Sequence, residues 1–414
     1  MQKRISLIPI LGILIVGATT LPAQNSTNSP YTRYGYGDLA NPSFGAGRSM
    51  GGVGIGLRSS KQINPMNPAS YSSMESLTFL FDFGASFQRS WYKDGVNKQK
   101  NFNGNVEYVA MQFPLAKRIA MNAGVRPYSH VGYLFEETKQ SDDGLYYREV
   151  FEGTGGLNQL YAGLSIALWK KRLSVGSNIN YLFGSITHTA TTEYGSSNST
   201  QVINANMVKV NDAIFDFGVQ YVHPLSRTDR IVGGMTFIPN KRLKNRAYET
   251  ILNSSEVVKS DTLTGIAYDV PAGYGLGFSY VKDDKFVAAA DVSYQGWSKA
   301  SFPKETFNNR AKIAAGFEYI PNLYNGPYYN RVRYRAGMSY TNSYIKAKGG
   351  YGYKEYSATA GMGFPLFDYL SFVNFSLEYV KVQPNLKTMI NENYFRVTLS
   401  FTFNERWFYI ERMK

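Results

Sequence analysis

This 414-residue chain has no cysteine, which excludes thiolate zinc sites, and the histidines it could bring to metal or acyl-transfer chemistry are three: His130, His188 and His223. The histidines fall in separate segments without an i, i+4 pair, so they lack the spacing that presents two imidazoles to one zinc ion from a helix. His188 stands among Thr187, Thr189 and Glu193. There a base, hydroxyls and a carboxylate gather, as an acyl-transfer constellation requires. An ordinary loop or interface histidine accounts for each of the three with fewer assumptions. The stretch Gly45–Gly56, "GAGRSMGGVGIG", has the glycine content of a phosphate loop but neither the G-x-G-x-x-G nor the G-x-x-x-x-G-K-[ST] spacing. No catalytic residue, metal site or cofactor is expected, and the chain does not read as an enzyme.

The elements that would hold these residues begin with a leader. Lys3 and Arg4 precede an apolar run from Ile5 to Ala18, and Leu21-Pro22-Ala23 follows. This is the pattern of a secretory signal peptide over residues 1–23. The run is shorter than the ~20 residues a spanning helix needs. Export, absence of cysteine, 15% aromatic residues, 33 Tyr and 39 Gly describe a chain that is polar on average yet rich in rings, as strands with one apolar and one polar face are. The formal charge of +14 becomes +12 when Lys3 and Arg4 leave with the leader. In an exported chain this suits anionic lipid and lipopolysaccharide, and no basic run with interleaved aromatics points to nucleic acid.

From residue 76 the sequence alternates with period two. Leu77, Phe79, Phe81, Phe83, Ala85 and Phe87 oppose Thr78, Leu80, Asp82, Gly84, Ser86 and Gln88, a lipid face against a water face. Fourteen such strands are expected, at 76–92, 101–113, 119–133, 145–168, 173–193, 200–221, 230–243, 256–281, 286–298, 308–320, 331–343, 353–364, 370–383 and 391–405. The number is even, and connections after even strands (114–118, 169–172, 224–229, 282–285, 365–368) are shorter than most of the others, as in a barrel inserted from the periplasm. The fold class is therefore all-β, a 14-stranded antiparallel transmembrane β-barrel of the outer membrane over residues 76–414. Trp91, Trp169, Trp297 and Trp407, all near strand ends, are expected in interfacial girdles.

The alternation turns Asp82, Asp216, Asp291, Glu318, Lys312, Arg333, Arg335, Glu378 and Arg396 into the lumen. Residues 24–75 do not alternate, but Met50, Val53, Ile55, Leu57, Ile63 and Met66 supply apolar groups that flexible linkers lack. Inside a barrel this segment is a plug, with glycine permitting close backbone approach. Arg48, Arg58 and Lys61 on it are expected to meet Asp82, Asp216 and Asp291. In strand 3, Pro127 lies between Gly124 and Gly132. Proline cannot donate to the ladder, so the strand must bend there or the assignment is misplaced.

The segment Gly45–Gly52, followed by Asn67-Pro68-Ala69 directly before the first strand, resembles the hatch of the FadL/TodX outer-membrane transporters of hydrophobic compounds, in the divergent form found in Bacteroidetes envelopes. The resemblance implies that Asn67, Pro68 and Ala69 are hatch residues. It also implies that the third strand kinks inward to open the wall sideways, with Arg126, Pro127, Tyr128 and Ser129 lining the gap. The function implied is passive uptake of a hydrophobic or amphipathic small molecule, which passes the hatch and leaves laterally. The alternative is a non-transporting barrel that serves as subunit or scaffold of a larger outer-membrane secretion or barrel-assembly complex, with envelope proteins as partners. A continuous apolar pocket from loops to hatch favours transport; a filled lumen favours the scaffold.

Overall fold

A computed structural model describes residues 26–407 except 96, 145, 195–200, 255, 304, 323–325, 348–349, 367–369 and 387–388. The expected leader, 1–23, lies outside the described residues. Fourteen antiparallel strands close into one barrel: β1 Thr78–Asp94, β2 Asn97–Ala116, β3 Ile119–Gln140, β4 Tyr146–Leu168, β5 Leu173–Tyr194, β6 Gln201–Pro224 and β7 Arg230–Ile238 form the first half. The second half is β8 Gly273–Lys282, β9 Phe286–Gln295, β10 Arg310–Tyr319, β11 Arg333–Asn342, β12 Tyr353–Pro365, β13 Phe372–Pro384 and β14 Asn391–Arg406. Closure is made by β1 against β14, from Thr78↔Arg406 to Lys93↔Asn391. Closed pairing is what lets strands span a bilayer, since every backbone donor and acceptor finds a partner inside the wall. Among the described residues no helix is long and apolar enough to cross a membrane.

The expected alternation is borne out. On β1, Thr78, Leu80, Asp82, Ser86, Gln88 and Ser90 are buried inside, while Phe87 on the other face is exposed along with Phe215, Phe217, Leu276 and Phe317 of other strands. Polar side chains are therefore enclosed and large apolar ones face outward, the inverse of a soluble sandwich. This is an outer-membrane barrel.

Two expectations are corrected. The stretch 239–281 is not simply the end of one strand and the whole of the next: β7 stops at Ile238 and β8 begins at Gly273, with a hairpin, Asn245–Asn253 and Glu256–Leu263, between them. That hairpin pairs with the outer half of β6, from Asn245↔Val210 to Asn253↔Val202. Gly265 at φ +76° and Pro271 break the chain before β8. Trp297 is not in a girdle. It is fully buried, whereas Trp169 and Trp407 are exposed.

β3 to β6 are the longest strands of the wall, at 22 to 24 residues, and they bend together. β3 carries a bulge between Pro127 and Ser129, and on neighbouring rungs Gly155, Gly156 and Gly184 adopt φ of +106°, +143° and +143°, conformations that β-carbon-bearing residues rarely take. The bent sheet and the outer loops close over the mouth in one apolar cluster that includes Tyr31, Tyr36, Tyr133, Trp297, Phe307 and Tyr344. Tyr36 sits edge-on to Phe302, centroids 4.8 Å apart, and Trp297 stacks on Tyr344 at 4.5 Å.

Candidate functional site

The N-terminal segment runs along the inner face of the wall, and its contacts encircle the bore. Phe44 stacks on Tyr108 of β2, centroids 3.6 Å apart, and the Gly45 N–H donates to the Tyr108 hydroxyl at 2.9 Å. Met50 and Gly51 lie against β10 and β11, where a side chain at Gly316 or Gly337 would collide with Met50 backbone. Thr359 of β12 donates to Ser49 O at 3.0 Å and accepts from Gly51 N–H at 2.8 Å. On the opposite wall Gln220 of β6 donates to the carbonyls of Ile55 and Leu57, each at 3.0 Å.

The lumen residues meet different partners from those expected of the three cations. Arg48 pairs with Glu107 at 2.8 Å and also donates to the carbonyls of Ser43 and Asn41. Arg58 donates to neutral acceptors: Gln220 Oε1 at 3.2 Å, Ala69 O at 3.3 Å and Ser72 Oγ at 3.4 Å. Lys61 is partly exposed at the periplasmic mouth. Asp291 accepts from the backbone N–H groups of Gly54, Ile55 and Gly56 at 2.6, 2.8 and 3.4 Å. Asp82 accepts from Tyr108 and Thr402 at 3.1 Å each. Asp216 accepts from Asn178 N and Asn180 Nδ2. Register decides these pairings, and alternation alone does not supply register.

Five of the six remaining lumen positions pair with one another, and Lys312 lines the cavity beside the seam. Glu318 binds Arg333 at 3.0 Å and Arg335 at 2.7 Å. Glu378 binds Arg396 at 3.2 Å, whose guanidinium also reaches Gln88 Oε1 at 2.7 Å. Asn67 precedes the 3-10 turn Pro68–Ser73 and caps it by accepting from Ala69 N, while its Nδ2 donates to Ile55 O at 2.9 Å. Pro68 and Ala69 are buried, and Ala69 O accepts from Ser165 of β4.

The wall is discontinuous at one seam. The ladder of β2 with β3 runs from Ala116↔Ile119 to Val109↔Val125. Outward of it β2 goes on pairing with β1 as far as Asn97, and β3 goes on pairing with β4 as far as Gln140. The N-terminal segment lies between them. Asp38–Leu39 pairs with His130 and Ser129, and Thr32 Oγ1 exchanges bonds with Gly132 N and O at 3.2 Å. Ala40 N–H donates to Tyr128 O at 3.0 Å. From the other side Asn103 and Asn105 of β2 donate to Asn28 Oδ1 and Ser26 O. Arg126 donates to Pro42 O at 3.1 Å and stands 5.3 Å over the Tyr161 ring. Gly124 pairs with Ala110 inside the ladder, and Pro127 lies at the bulge, where its missing N–H disturbs the ladder least.

Against this seam lies a cavity of ≈ 230 Å³ lined by Asp38, Glu107, Arg126, His130, Lys312 and Arg396 among others. Its lining mixes these ionisable groups with apolar side chains such as Leu39, Ile55, Met66, Ile214 and Phe217, so it is not the wholly apolar pocket that bare hydrocarbon would fill. Glu107 escaped the sequence analysis for a physical reason. A bulge in β1–β2 pairing, between Gly84 and Ala85, leaves Glu107 without a partner in the ladder, and both it and its neighbour Tyr108 are buried. A lone acid within "NVEYVAM" is the signal that could have found it. His188 sits in the outer sheet with Nδ1 2.7 Å from Tyr133 OH. Among the described residues no three His, Asp or Glu gather as metal ligands.

A closed 14-stranded barrel whose N-terminal segment lies in the bore, with a seam after the second strand, has the fold of FadL-type outer-membrane barrels. The solved structures it resembles include a Pseudomonas aeruginosa FadL homologue, at TM-score 0.61 and 13% identity over 89% of this chain and 99% of that one. The Ralstonia pickettii toluene transporter TbuX matches at TM-score 0.55 and 16% identity, over 88% and 99%. The Pseudomonas putida toluene transporter TodX matches at 0.53 and 13%, over 89% and 100%. At these identities the likeness is one of fold. The family model BamG matches residues 1–414, and the chain belongs to the BamG family. No curated protein matches the sequence.

Proposed function

We propose that the barrel passes amphipathic small molecules across the outer membrane along the β2–β3 seam, with residues 24–75 acting as hatch and β3 at Pro127 as the lateral exit. The observation that carries this reading is the seam: both strands continue past the end of their common ladder, and the space between them is filled by Asp38–Leu39. Such a plug costs few backbone bonds to withdraw. The cavity beside it, lined by Glu107, Arg126, Lys312 and Arg396, suits a molecule with a polar head more than the toluene named for TbuX and TodX. Cysteines at Leu39 and Ser129, which face each other in register, can test it. Oxidation should stop uptake of a single-chain amphiphile into proteoliposomes, and reduction should restore it. Uptake unaffected by the crosslink refutes the route.

A second reading, a closed barrel serving as subunit or scaffold of a larger outer-membrane secretion or barrel-assembly complex, draws on one observation. The outer mouth is capped by the apolar cluster around Tyr36 and Trp297. Native mass spectrometry of protein gently extracted from its own membrane separates the two. Stoichiometric protein partners without bound amphiphile support the scaffold, and bound amphiphile without partners supports the channel.

A further inference from the structure

We infer that the periplasmic mouth of the barrel is a second binding site, for a water-borne carboxylate carrying an apolar group, of the kind a peptide presents at its C-terminal residue. The site is a cavity of ≈ 610 Å³ under the N-terminal segment, on the side of the short turns. That volume falls within the range of small-molecule pockets. Its lining combines two kinds of surface. Phe44, Leu57, Ile63 and Phe372 supply apolar area, and Arg58 and Lys61 supply charge.

The charge balance points to an anion. Of the acids in the lining, Asp284 is engaged by Arg230 at 2.7 Å, and Glu318 by Arg333 and Arg335. Asp82 is buried against Tyr108 and Thr402, so Glu75, which accepts from Ser60, is left as one negative charge against the two positive charges of Arg58 and Lys61. Arg58 is held by a carbonyl, an amide oxygen and a hydroxyl, none of which neutralises it. Burial and the like charge of Arg230 bring the Arg58 guanidinium down to about 10. Burial, with Arg333 nearby, also lowers the Lys61 ammonium, against the weaker pull of Glu75 and Asp284. A carboxylate entering the mouth would relieve both, and a guanidinium offers it two parallel donors. The mouth opens to water within the ring of strand ends, so its ligand arrives from the periplasm and not from the bilayer.

The site is independent of the seam and of either reading of the barrel's function. Its test is binding of N-acetylphenylalanine to the purified detergent-solubilised chain by calorimetry, beside the neutral N-acetylphenylalaninamide. The acid should bind at least tenfold more tightly than the amide. Arg58→Gln and, separately, Lys61→Gln should each weaken the acid roughly tenfold or more. Arg118→Gln, on a short turn outside the cavity, should leave it unchanged. Lys61→Gln keeps the test sound if Arg58→Gln fails to fold, because Lys61 is partly exposed. Equal binding of acid and amide overturns the inference. So does binding that survives the Arg58 and Lys61 substitutions but is lost in Arg126→Gln, which would move the anion to the outer cavity.

Discussion

Arg48 Nη2 lies 2.8 Å from Glu107 Oε2, with 5% and 6% of the two side chains exposed. This pair joins the N-terminal segment to β2 on the inner side of the seam. Desolvation costs each ion several kcal/mol, so the pair holds the segment through what its loss would leave behind more than through net attraction. Arg48→Ala should therefore destabilise seating by about 3–5 kcal/mol. The double variant Arg48→Met/Glu107→Leu should be much milder. Limited proteolysis of residues 40–66 in proteoliposomes reads the difference; equal damage in both variants would disprove this account.

Asp291 gathers three consecutive backbone N–H groups, from Gly54 to Gly56. Asp291→Ala should cost about 1–3 kcal/mol for the donors left unsatisfied, and Asp291→Asn, which keeps an acceptor oxygen, should cost less. Urea-dependent exposure of the segment to protease measures both. Indistinguishable midpoints for the two variants would exclude the carboxylate as an anchor.

Gly337 has Met50 and Gly51 backbone where its β-carbon would be. Backbone cannot move aside as a flexible side-chain end can, so Gly337→Val should unseat residues 49–52 while the wall strands still pair. Gly233→Val, where nothing lies within 4 Å of the added β-carbon, is the matched control. The expected result is a heat-modifiable, folded barrel for both, with protease sensitivity and raised ion conductance in Gly337→Val alone.

Glu305, in the outer loops, accepts from Gly35 N–H at 2.8 Å. Burial raises its carboxyl above the ordinary range, opposed by that N–H and by Arg33. A carboxyl raised in the closed cap binds its proton more tightly there than when released. Closure is thus favoured at low pH, and this contribution is lost as pH rises through the raised value. In a chain with Trp297 as its single tryptophan, acrylamide quenching should increase from pH 5 to pH 8, and Glu305→Gln should flatten the change. Quenching that falls with rising pH would contradict the assignment.

The barrel was legible because membrane strands carry their burial in alternate residues, as Phe79 to Phe87 do against Thr78 to Gln88, and because an even number of such strands with short turns on one side distinguishes a barrel from a sandwich. Legibility failed where the period did. The bulge at Gly84 left Glu107 unpaired in the ladder and buried, where strict alternation has no place for it, and the hairpin 245–263 leaves the barrel wall to pair with the first half of β6. Trp297 was misread because a ring near a strand end serves a girdle or a cap equally well, and contacts from Tyr36 and Tyr344 decide between them. Which acid meets Arg48, Arg58 or Lys61 depends on stagger between strands far apart in sequence, which no local pattern encodes.

The bond between Ser49 and Thr359 spans 310 positions of chain, and the strand that finishes the cylinder, β14, is the last to be made. The first part of the polypeptide must therefore wait, unsheathed, until nearly all the rest has been synthesised and exported. Assembly is dominated by distant encounters, which are slow to form and leave sticky intermediates exposed. A chain built this way depends on escort through the periplasm more heavily than a barrel with an empty bore, and truncation before β14 forfeits both ends of the molecule at once.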